Sequence, residues 1–472
     1  MVSVISQGST PNYGTLSNET SDHELSQKLV GRRNINGVTL DKCSIVRGSR
    51  ACYIRALVAF WFFGLTNNYG YVVMLSAATD ILKNIENTTS SDSQDNVTFN
   101  GTKRECTEMS TGAVLLADIV PTLIIKYTAP FFMQRIPFGI RIFVIVLLNI
   151  ASYFMVAYST SVPLSLAGVC FASAGSGLGE ITFLAMAAYY SSNTITTWSS
   201  GTGAAGIFGS FAYASIIDVG LTPKQTLLIQ LIVPISMAVY FWVLLPKPGS
   251  FYQVSLFNLK TWIVPTDRTA LTDEHTGKVI EVPENLTLKK KLILLVPLLK
   301  FMIPLGLVYS GEYFINQGLQ ELIYFNGIRL SPSKYQTMSR KDQYRWYQVI
   351  YQIGVFISRS SVSIIQLPLV VLYLIPVLQF ANVAIFFTEA YFFYMPSIWI
   401  IFVLILYEGL LGGAAYVNTF YRIKETVNPE HVEYSLGVAS LADSTGIVIA
   451  GLAAIPAHNW ICDTPLPRNH QT

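Results

Sequence analysis

Residues 292–322 read "LILLVPLLKFMIPLGLVYSGEYFINQGLQEL" and are predominantly apolar as far as Ser310. A helix of this length exceeds the roughly 20 residues that are needed to cross a bilayer. Its last third nevertheless holds carboxylate and amide side chains. Glu312, Asn316 and Gln320 fall four residues apart and share one helical face. The stretch therefore predicts a membrane helix with one polar face.

The composition extends this interpretation to the whole chain. Hydrophobic residues make up 51% of the 472 residues and charged residues 12%. The apolar residues are gathered in blocks of about 20, as in a protein with many membrane spans. The net charge of +3 gives no basis for binding nucleic acid, and the five cysteines show no C-x-x-C pair or metal-ligand spacing with the histidines. We therefore expect an all-α membrane protein without a metal or cofactor.

The apolar blocks fall into two groups. Six predicted spans lie in residues 54–245 and five in 292–456, with a charged cytosolic linker over 246–291 and tails over 1–53 and 457–472. Stretches six spans apart look alike, such as "GSGLGEITFLAMAAYY" in the fourth span and "YEGLLGGAAYVNTFY" in the tenth. The pattern predicts about 11 transmembrane helices in a major-facilitator-like 6+5 pseudo-repeat, whose two halves rock around a central site.

Positive charges next to the first span predict the orientation. Six Lys and Arg residues lie between positions 32 and 55 against a single aspartate, so the N-terminus is expected in the cytosol. The next loop, 81–109, then faces the lumen, and it contains three N-x-S/T sequons. The predicted glycosylation sites are Asn87, Asn96 and Asn100.

Residues 328–345 depart from this charge rule. They should be lumenal by parity, yet they carry five cations against one aspartate. Either the span count is wrong by one, or the loop is a functional basic mouth that concentrates an anionic substrate. The mouth would consist of Arg340, Lys341 and Arg345. The alternative is that these side chains are only solvated or bind anionic lipid.

Polar residues inside the spans are the candidates for function. A charge at the bilayer centre costs roughly 2.5 to 3.5 kcal/mol on insertion scales, so charged residues there face a bundle interior or a water-filled cavity. The alternative for each one is a structural ion pair. As a set they predict a substrate or proton pathway, which comprises Glu312, Asn316, Gln320, Glu180, Glu408, Asp118, Lys126 and Asp443.

Glu312 is the predicted functional acid of this pathway, which gains and loses protons. Asn316 and Gln320 offer both donors and acceptors, which suit glycerol hydroxyls or phosphodiester oxygens. The competing interpretation is that Glu312 only locks its helix to a neighbour, for instance through Lys126. Glu321, on a second stripe of the same helix, is expected to pair with a cation of the following loop.

Enzyme signatures are absent from the sequence. It has no G-x-S-x-G, no H-E-x-x-H and no P-loop. "SGTGAAG", residues 200–206, matches the dinucleotide-binding fingerprint, but no predicted strand precedes it. Small residues at this spacing instead let neighbouring helices pack closely. We therefore expect a protein that is not an enzyme.

Two short signals lie near the ends of the chain. "YGTL", from Tyr13 to Leu16, matches a tyrosine-based sorting signal that adaptors bind. The predicted span count places the C-terminal tail in the lumen with Cys106, where Cys106 and Cys462 are expected to form a disulfide.

Longer stretches resemble a known family. "NNYGYVVMLSAATDIL", "FASAGSGLGEITFLAM", "EYFINQGLQEL", "QYRWYQ" and "LYEGLLGGAAYVNTF" are similar to the battenin family, whose defects cause juvenile neuronal ceroid lipofuscinosis. The resemblance covers residues 56–462. It implies a lysosomal or vacuolar multispan protein related to the major facilitator superfamily. It also implies a link to glycerophosphodiester clearance, lysosomal pH and basic amino acid balance.

Together these observations predict a lysosomal transporter that exports glycerophosphodiesters, with or without protons, and supports lysosomal pH and basic amino acid homeostasis. Its expected partners are membrane lipid, a small anionic phosphodiester, protons and sorting adaptors. The alternative is an endolysosomal trafficking or scaffolding membrane protein that has no substrate of its own. Intramembrane carboxylates favour the transporter, because a scaffold needs none.

Overall fold

Helices account for nearly all of the described chain. The computed structural model describes residues 50–89, 111–248, 254, 262–264, 271–272, 279–280, 286–328, 338 and 340–465. All of them lie in one structural unit that covers residues 48–472. The described strands form a two-residue antiparallel hairpin in the linker, Leu271–Thr272 (β1) with Val279–Ile280 (β2).

Helices α1 to α6 precede the linker. Their bounds are Arg50–Thr89 (α1), Thr111–Phe132 (α2), Phe138–Ala157 (α3), Val162–Met186 (α4), Asn193–Asp218 (α5) and Pro223–Leu244 (α6). Proline lies in the first turn of α4 and of α6, where its missing N–H is not needed. Thr222 and Gln225 also form a capping box at the start of α6. These turn signals fix where the two helices begin.

Helices α7 to α11 follow the linker. Their bounds are Leu288–Leu322 (α7), Arg340–Ser360 (α8), Leu369–Phe392 (α9), Ile398–Thr426 (α10) and Pro429–Cys462 (α11). Helix α7 changes to π-helical winding over Ile315–Leu319, within the polar stretch that the sequence singles out. Such insertions are frequent at functional sites, because they re-aim side chains along a helix.

Seven helices in the described residues are long and apolar enough to cross a membrane, namely α3, α4, α6, α7, α9, α10 and α11. The chain is therefore a helical membrane protein with multiple spans, as the sequence predicts. The count of eleven spans and the 6+5 division are finer than this criterion establishes, because it selects seven helices in the described residues. Of the remaining helices, α8 is the most polar.

The glycines of residues 201–206 pack helices together. A Cβ added at Gly201 would lie 2.0 Å from the carbonyl oxygen of Trp61 on α1. One added at Gly203 would lie 2.9 Å from the Cα atom of Phe356 on α8. Backbones this close leave no room for a side chain. The packing interpretation of this motif is confirmed, and α5 contacts one helix before the linker and one after it.

The same helix pairings occur before and after the linker. Helix α1 packs along α5 and α2 along α4, while α7 packs along α11 and α8 along α10. Two further pairs, α2 with α11 and α5 with α8, join the first half, α1 to α6, to the second half, α7 to α11. Polar residues on these four helices consequently lie where the halves meet.

Candidate functional site

A cavity lies between the two halves. It has a volume of about 100 Å³ and is lined by α1, α2, α4 and α5 of the first half and by α7, α8, α10 and α11 of the second. Four of its five charged lining residues belong to the pathway that the sequence predicts. The five are Asp118, Lys126, Glu180, Arg359 and Asp443.

Lys126 holds two carboxylates that come from different halves. Its Nζ lies 2.6 Å from Glu180 Oε2 on α4 and 2.9 Å from Asp443 Oδ1 on α11. The Lys126 side chain is only 1% exposed, so water and salt screen these attractions little. We call these three residues the Lys126 cluster. Its two carboxylates compensate the lysine charge, and the cluster ties α2 and α4 to α11.

Neutral donors orient the two carboxylates of the Lys126 cluster. Tyr416 Oη donates to Glu180 Oε1 at 2.7 Å, and Trp198 Nε1 donates to Tyr416 Oη at 3.3 Å. The backbone N–H of Ser444 donates to Asp443 Oδ1 at 2.5 Å, and the Ser444 hydroxyl donates to the same oxygen at 3.1 Å. Hydrogen bonds of this kind hold each carboxylate in one geometry inside a medium of low polarity.

Arg359 on α8 donates hydrogen bonds to neutral hydroxyl groups. Its Nη1 donates to Thr202 Oγ1 at 2.5 Å and its Nη2 donates to Tyr309 Oη at 2.8 Å. The guanidinium carbon lies 4.3 Å from the centroid of the Tyr416 ring, which is a cation–π contact. In the described residues no carboxylate oxygen lies within 4.0 Å of its nitrogen atoms. Arg359 therefore brings to the cavity a guanidinium that has no direct ion-pair partner among the described residues.

A second buried polar group lies on α7, α8 and α10. Tyr351 Oη donates to Glu312 Oε1, while Asn316 Nδ2 and Gln320 Nε2 donate to the two oxygens of Glu408 at 3.1 and 3.3 Å. Glu312 and Glu408 are 1% and 0% exposed. The polar face predicted for α7 is confirmed as a buried face. Its two amides contact Glu408 and are not among the residues that line the cavity.

Gly412 on α10 leaves space for the Glu312 carboxylate. A Cβ added at Gly412 would lie 2.2 Å from Glu312 Oε2. That oxygen has no hydrogen-bond partner in the described part of the chain, whereas Oε1 accepts from Tyr351. The carboxylate is thus bonded at one oxygen and packed against the α10 backbone at the other.

Asp118 on α2 is a buried lining residue of the first half. Its side chain is 3% exposed, and its Oδ1 has no hydrogen-bond partner among the residues that the structure describes. The Ser173 hydroxyl donates to the backbone oxygen of Asp118, and Thr122 Oγ1 donates to Ser173 O at 2.6 Å. These bonds fix α2 against α4 and hold Asp118 in place.

Lys126 has partners other than the one that the sequence suggests, and Glu321 has one contact that the sequence does not suggest. Lys126 binds Glu180 and Asp443, so Glu312 is not locked to its neighbours through Lys126. Glu321 Oε1 lies 3.5 Å from His458 Nε2 on α11. Its expected pairing with a cation of the following loop stays a prediction, because that loop lies largely outside the described residues. The contacts of Lys126 and Glu321 with α11 are not predicted, because sequence analysis treats these helices separately.

Several predicted sites fall on residues of which the structure describes little. Cys462 is disulfide-bonded, but its pairing with Cys106 stays a prediction. For Asn87, Arg340 and Lys341 only the helical backbone is described, and Arg345 is exposed. Glycosylation, sorting and the basic mouth likewise stay predictions. The predicted residues outside the described ranges are Tyr13, Leu16, Asn96, Asn100 and Cys106.

Arg359 is the principal lining residue that sequence analysis misses. The eighth of the predicted spans covers residues 344–358, so Arg359 is not among the charges that the sequence predicts inside a span. Helix α8 instead continues to Ser360 and carries Arg359 into the cavity. The hydroxyls of Tyr309 and Tyr416 escape notice as well, because their role depends on partners far away in the chain.

Hydrogen bonds also join the halves where α4 and α10 end. Lys424 Nζ donates to the carbonyl oxygens of Ala187, Tyr190 and Ser191, the last two at 2.6 and 3.0 Å. The final carbonyls of a helix lack partners within that helix and attract cations. We call this contact the Lys424 latch. It holds the segment between α4 and α5 in contact with α10 of the second half.

Known proteins resemble this chain in sequence and in fold. The family model described as CLN3 protein matches residues 58–464. Battenin of Canis lupus familiaris is 40% identical over 415 residues, which cover 86% of this chain and 91% of that protein. Protein BTN1 of Saccharomyces cerevisiae is 34% identical over 413 residues, covering 85% of this chain and 94% of that one.

The structural comparison concerns the fold. The human organic anion transporter MFSD10 (TETRAN) superposes with a TM-score of 0.51 over 89% of this chain and 95% of that one. Its sequence is 13% identical to this chain, so the likeness is one of architecture alone. The helical architecture of this chain therefore resembles that of this transporter.

Proposed function

The chain belongs to the CLN3 protein family, and we propose that it is a membrane transporter that exports small anionic glycerophosphodiesters from the lysosome. The family supports the compartment and the class of substrate. The fold, which resembles that of a human organic anion transporter, supports transport as the activity. In this proposal the protein is a carrier and not an enzyme, and it supports lysosomal pH and basic amino acid balance indirectly.

The charged cavity between the halves carries the proposal. Charges inside a membrane protein are costly unless they are paired or serve a pathway. Glu180 and Asp443 pair with Lys126 across the two halves, whereas Arg359 has no anionic partner among the described residues. A scaffold needs neither arrangement. In a carrier, the two halves rock around a central site. Such a protein needs bonds between the halves that can break and re-form, and it needs a charged group that can bind the substrate.

Eleven spans in a 6+5 pseudo-repeat are part of the proposal. The pairing of α1 with α5 is matched by that of α7 with α11, and the pairing of α2 with α4 by that of α8 with α10. A duplicated unit accounts for both correspondences. Helices α1, α2, α5 and α8 are then spans as well, and each contributes polar residues to the lining of the cavity.

Protons are the proposed coupling ion. Glu312 and Glu408 are buried close to one another on α7 and α10, and both accept hydrogen bonds from neutral donors. Carboxyl groups held in this way can exchange protons without an ion pair having to break. Since the lysosomal lumen is acidic, export of an anion together with a proton would follow the proton gradient.

The orientation and processing of the chain complete the proposal. With the N-terminus in the cytosol, loop 81–109 is lumenal and carries glycans at its sequons. Arg345 and its neighbours form a lumenal basic mouth, and Cys106 pairs with Cys462 on the same side. The Lys424 latch then lies at the cytosolic end. Tyr13 and Leu16 serve sorting adaptors that direct the protein to the lysosome.

Uptake by vesicles that contain only the purified protein tests this function. Glycerophosphoglycerol and arginine are offered separately, to protein-containing vesicles and to protein-free vesicles of the same lipid. We expect saturable uptake of the phosphodiester alone. Uptake of arginine alone would mean that the substrate is a basic amino acid and not a phosphodiester. Uptake of neither solute at acidic or neutral pH would favour the trafficking or scaffolding role.

A further inference from the structure

The two cations that line the described cavity differ in their surroundings. Lys126 lies within 2.9 Å of two carboxylates, Glu180 and Asp443, so its charge is already compensated. Arg359 donates to the hydroxyls of Thr202 and Tyr309, which carry no charge. An anion that enters the cavity therefore gains more from approaching Arg359 than from approaching Lys126.

The Arg359 guanidinium is also fixed in orientation before any ligand arrives. Its two terminal nitrogens are held by hydroxyls on α5 and α7, and its plane lies on the Tyr416 ring of α10. Its Nε–H has no hydrogen-bond partner among the described residues, although the atom is buried. A buried donor without a partner is unfavourable, so the site is improved by an acceptor. Phosphate oxygens are acceptors that suit the planar fork of a guanidinium.

Asp118 supplies the opposite chemistry from the other half. It is buried, it lines the same cavity, and its Oδ1 has no partner among the described residues. A carboxyl oxygen accepts hydrogen bonds, so Oδ1 suits a hydroxyl or ammonium donor of a ligand. The backbone of Asp118 is held against α4 through Ser173, which fixes the position of this acceptor.

We propose that the cavity binds its substrate in a single orientation, with the phosphodiester on Arg359 and a hydroxyl-bearing arm on Asp118. This inference rests on the proposed function and makes it more specific. The ligand class is a monoanionic phosphodiester that carries at least one polyol arm. Because Arg359 belongs to α8 and Asp118 to α2, such a ligand contacts both halves at once.

The proposed specificity follows from the two atoms of the site that lack hydrogen-bond partners among the described residues, Arg359 Nε and Asp118 Oδ1. Diglycerol has the hydroxyls of glycerophosphoglycerol but no charge, so it leaves the Nε–H of Arg359 without an anionic acceptor. Dimethyl phosphate has the charge but no hydroxyl, so it leaves Asp118 Oδ1 without a donor. Both probes are therefore expected to bind less tightly than glycerophosphoglycerol, each by about tenfold or more.

Binding to the purified full-length protein, measured by calorimetry, tests the orientation. In Arg359→Gln the affinity for glycerophosphoglycerol should fall at least about tenfold, to that of diglycerol, while diglycerol binding stays unchanged. In Asp118→Asn the affinity for glycerophosphoglycerol should fall and that for dimethyl phosphate should stay the same or rise. Arg422→Gln is the matched control, because in the described part of the chain Arg422 donates to the Leu367 carbonyl oxygen alone and does not line the cavity.

Several outcomes overturn the inference. If Arg359→Gln still prefers glycerophosphoglycerol over diglycerol to the full extent, Arg359 does not bind the phosphodiester. Should that variant fail to fold, Arg359→Lys decides, because it keeps the charge and loses the fork. Its phosphodiester affinity should fall several-fold, and an unchanged affinity contradicts the proposal. Equal binding of glycerophosphoglycerol and diglycerol by the unmodified protein contradicts it without any variant.

Failure of the inference is distinguishable from failure of the proposed function. If vesicles take up glycerophosphoglycerol and Arg359→Gln binds it normally, the protein is a carrier whose substrate is anchored elsewhere. If the unmodified protein neither binds nor transports a phosphodiester, the proposed substrate itself is wrong.

Discussion

Lys126 of α2 and Asp443 of α11 are joined by a 2.9 Å ion pair across 317 positions of the chain. The pair lies in the cavity and connects the two halves directly. Carriers of this architecture work by rocking one half against the other, so bonds between halves must be remade in each cycle. The Lys126 cluster and the Lys424 latch are two of the polar connections that such a motion would have to break.

Replacing Lys126 with Met should strongly destabilise the protein. Removal of one partner of a buried ion pair typically costs about 3 to 5 kcal/mol, because the remaining charge is left uncompensated. Here two carboxylates, Glu180 and Asp443, would lose their cation. Thermal unfolding in detergent measures the effect, with Lys300→Met as the control because Lys300 is exposed on α7. Equal unfolding temperatures for the two variants would show that the cluster contributes little to stability.

Replacing Gly412 with Ala should displace the Glu312 carboxylate. The added Cβ would lie 2.2 Å from Glu312 Oε2, and overpacking of this kind costs about 1 to 3 kcal/mol. Gly139→Ala is the matched control, because nothing lies within 4 Å of a Cβ at that position. Unfolding temperature and transport are to be measured for both. A Gly412→Ala variant that behaves like Gly139→Ala in both assays would mean that Glu312 does not occupy this space.

The fold class can be predicted from the sequence, because the apolar blocks have the length and composition of membrane helices. Asp118, Lys126, Glu180 and Asp443 are also found from sequence, since a charge within an apolar block is conspicuous. Their partners are not, because the bond between α2 and α11 depends on helix packing that no local pattern encodes. Arg359 is missed for a different reason: its polar neighbours resemble the end of a span.

Replacing Glu312 with Gln should remove the pH dependence of transport and leave folding intact. The amide keeps the shape of the side chain and can still accept from Tyr351, but it cannot exchange a proton. Uptake rates from acidic to neutral pH measure this, with Glu312→Asp as the variant that retains a carboxyl group. A Glu312→Gln protein with the full pH dependence excludes a coupling role. Loss of folding in both variants assigns Glu312 a structural role.

Replacing Lys424 with Met should loosen the connection between α4 and α5. Three carbonyl acceptors, those of Ala187, Tyr190 and Ser191, would lose a charged donor, and bonds of this kind contribute about 1.5 to 3 kcal/mol each. Hydrogen exchange of a peptide covering residues 187–191 should accelerate by about tenfold or more. Lys289→Met, at an exposed position of α7, is the control. Unchanged exchange in that peptide would show that the latch does not hold this connection.

Counterflow in reconstituted vesicles is the most direct measurement of carrier activity. Vesicles that hold the purified protein are preloaded with unlabelled glycerophosphoglycerol and diluted into a trace of the labelled compound. A carrier with a central site exchanges one for the other, so the label should accumulate transiently above its equilibrium level. Arg359→Gln should show a much smaller transient. A label that never exceeds equilibrium, and enters no faster than in protein-free vesicles, would contradict transport of a glycerophosphodiester by this protein.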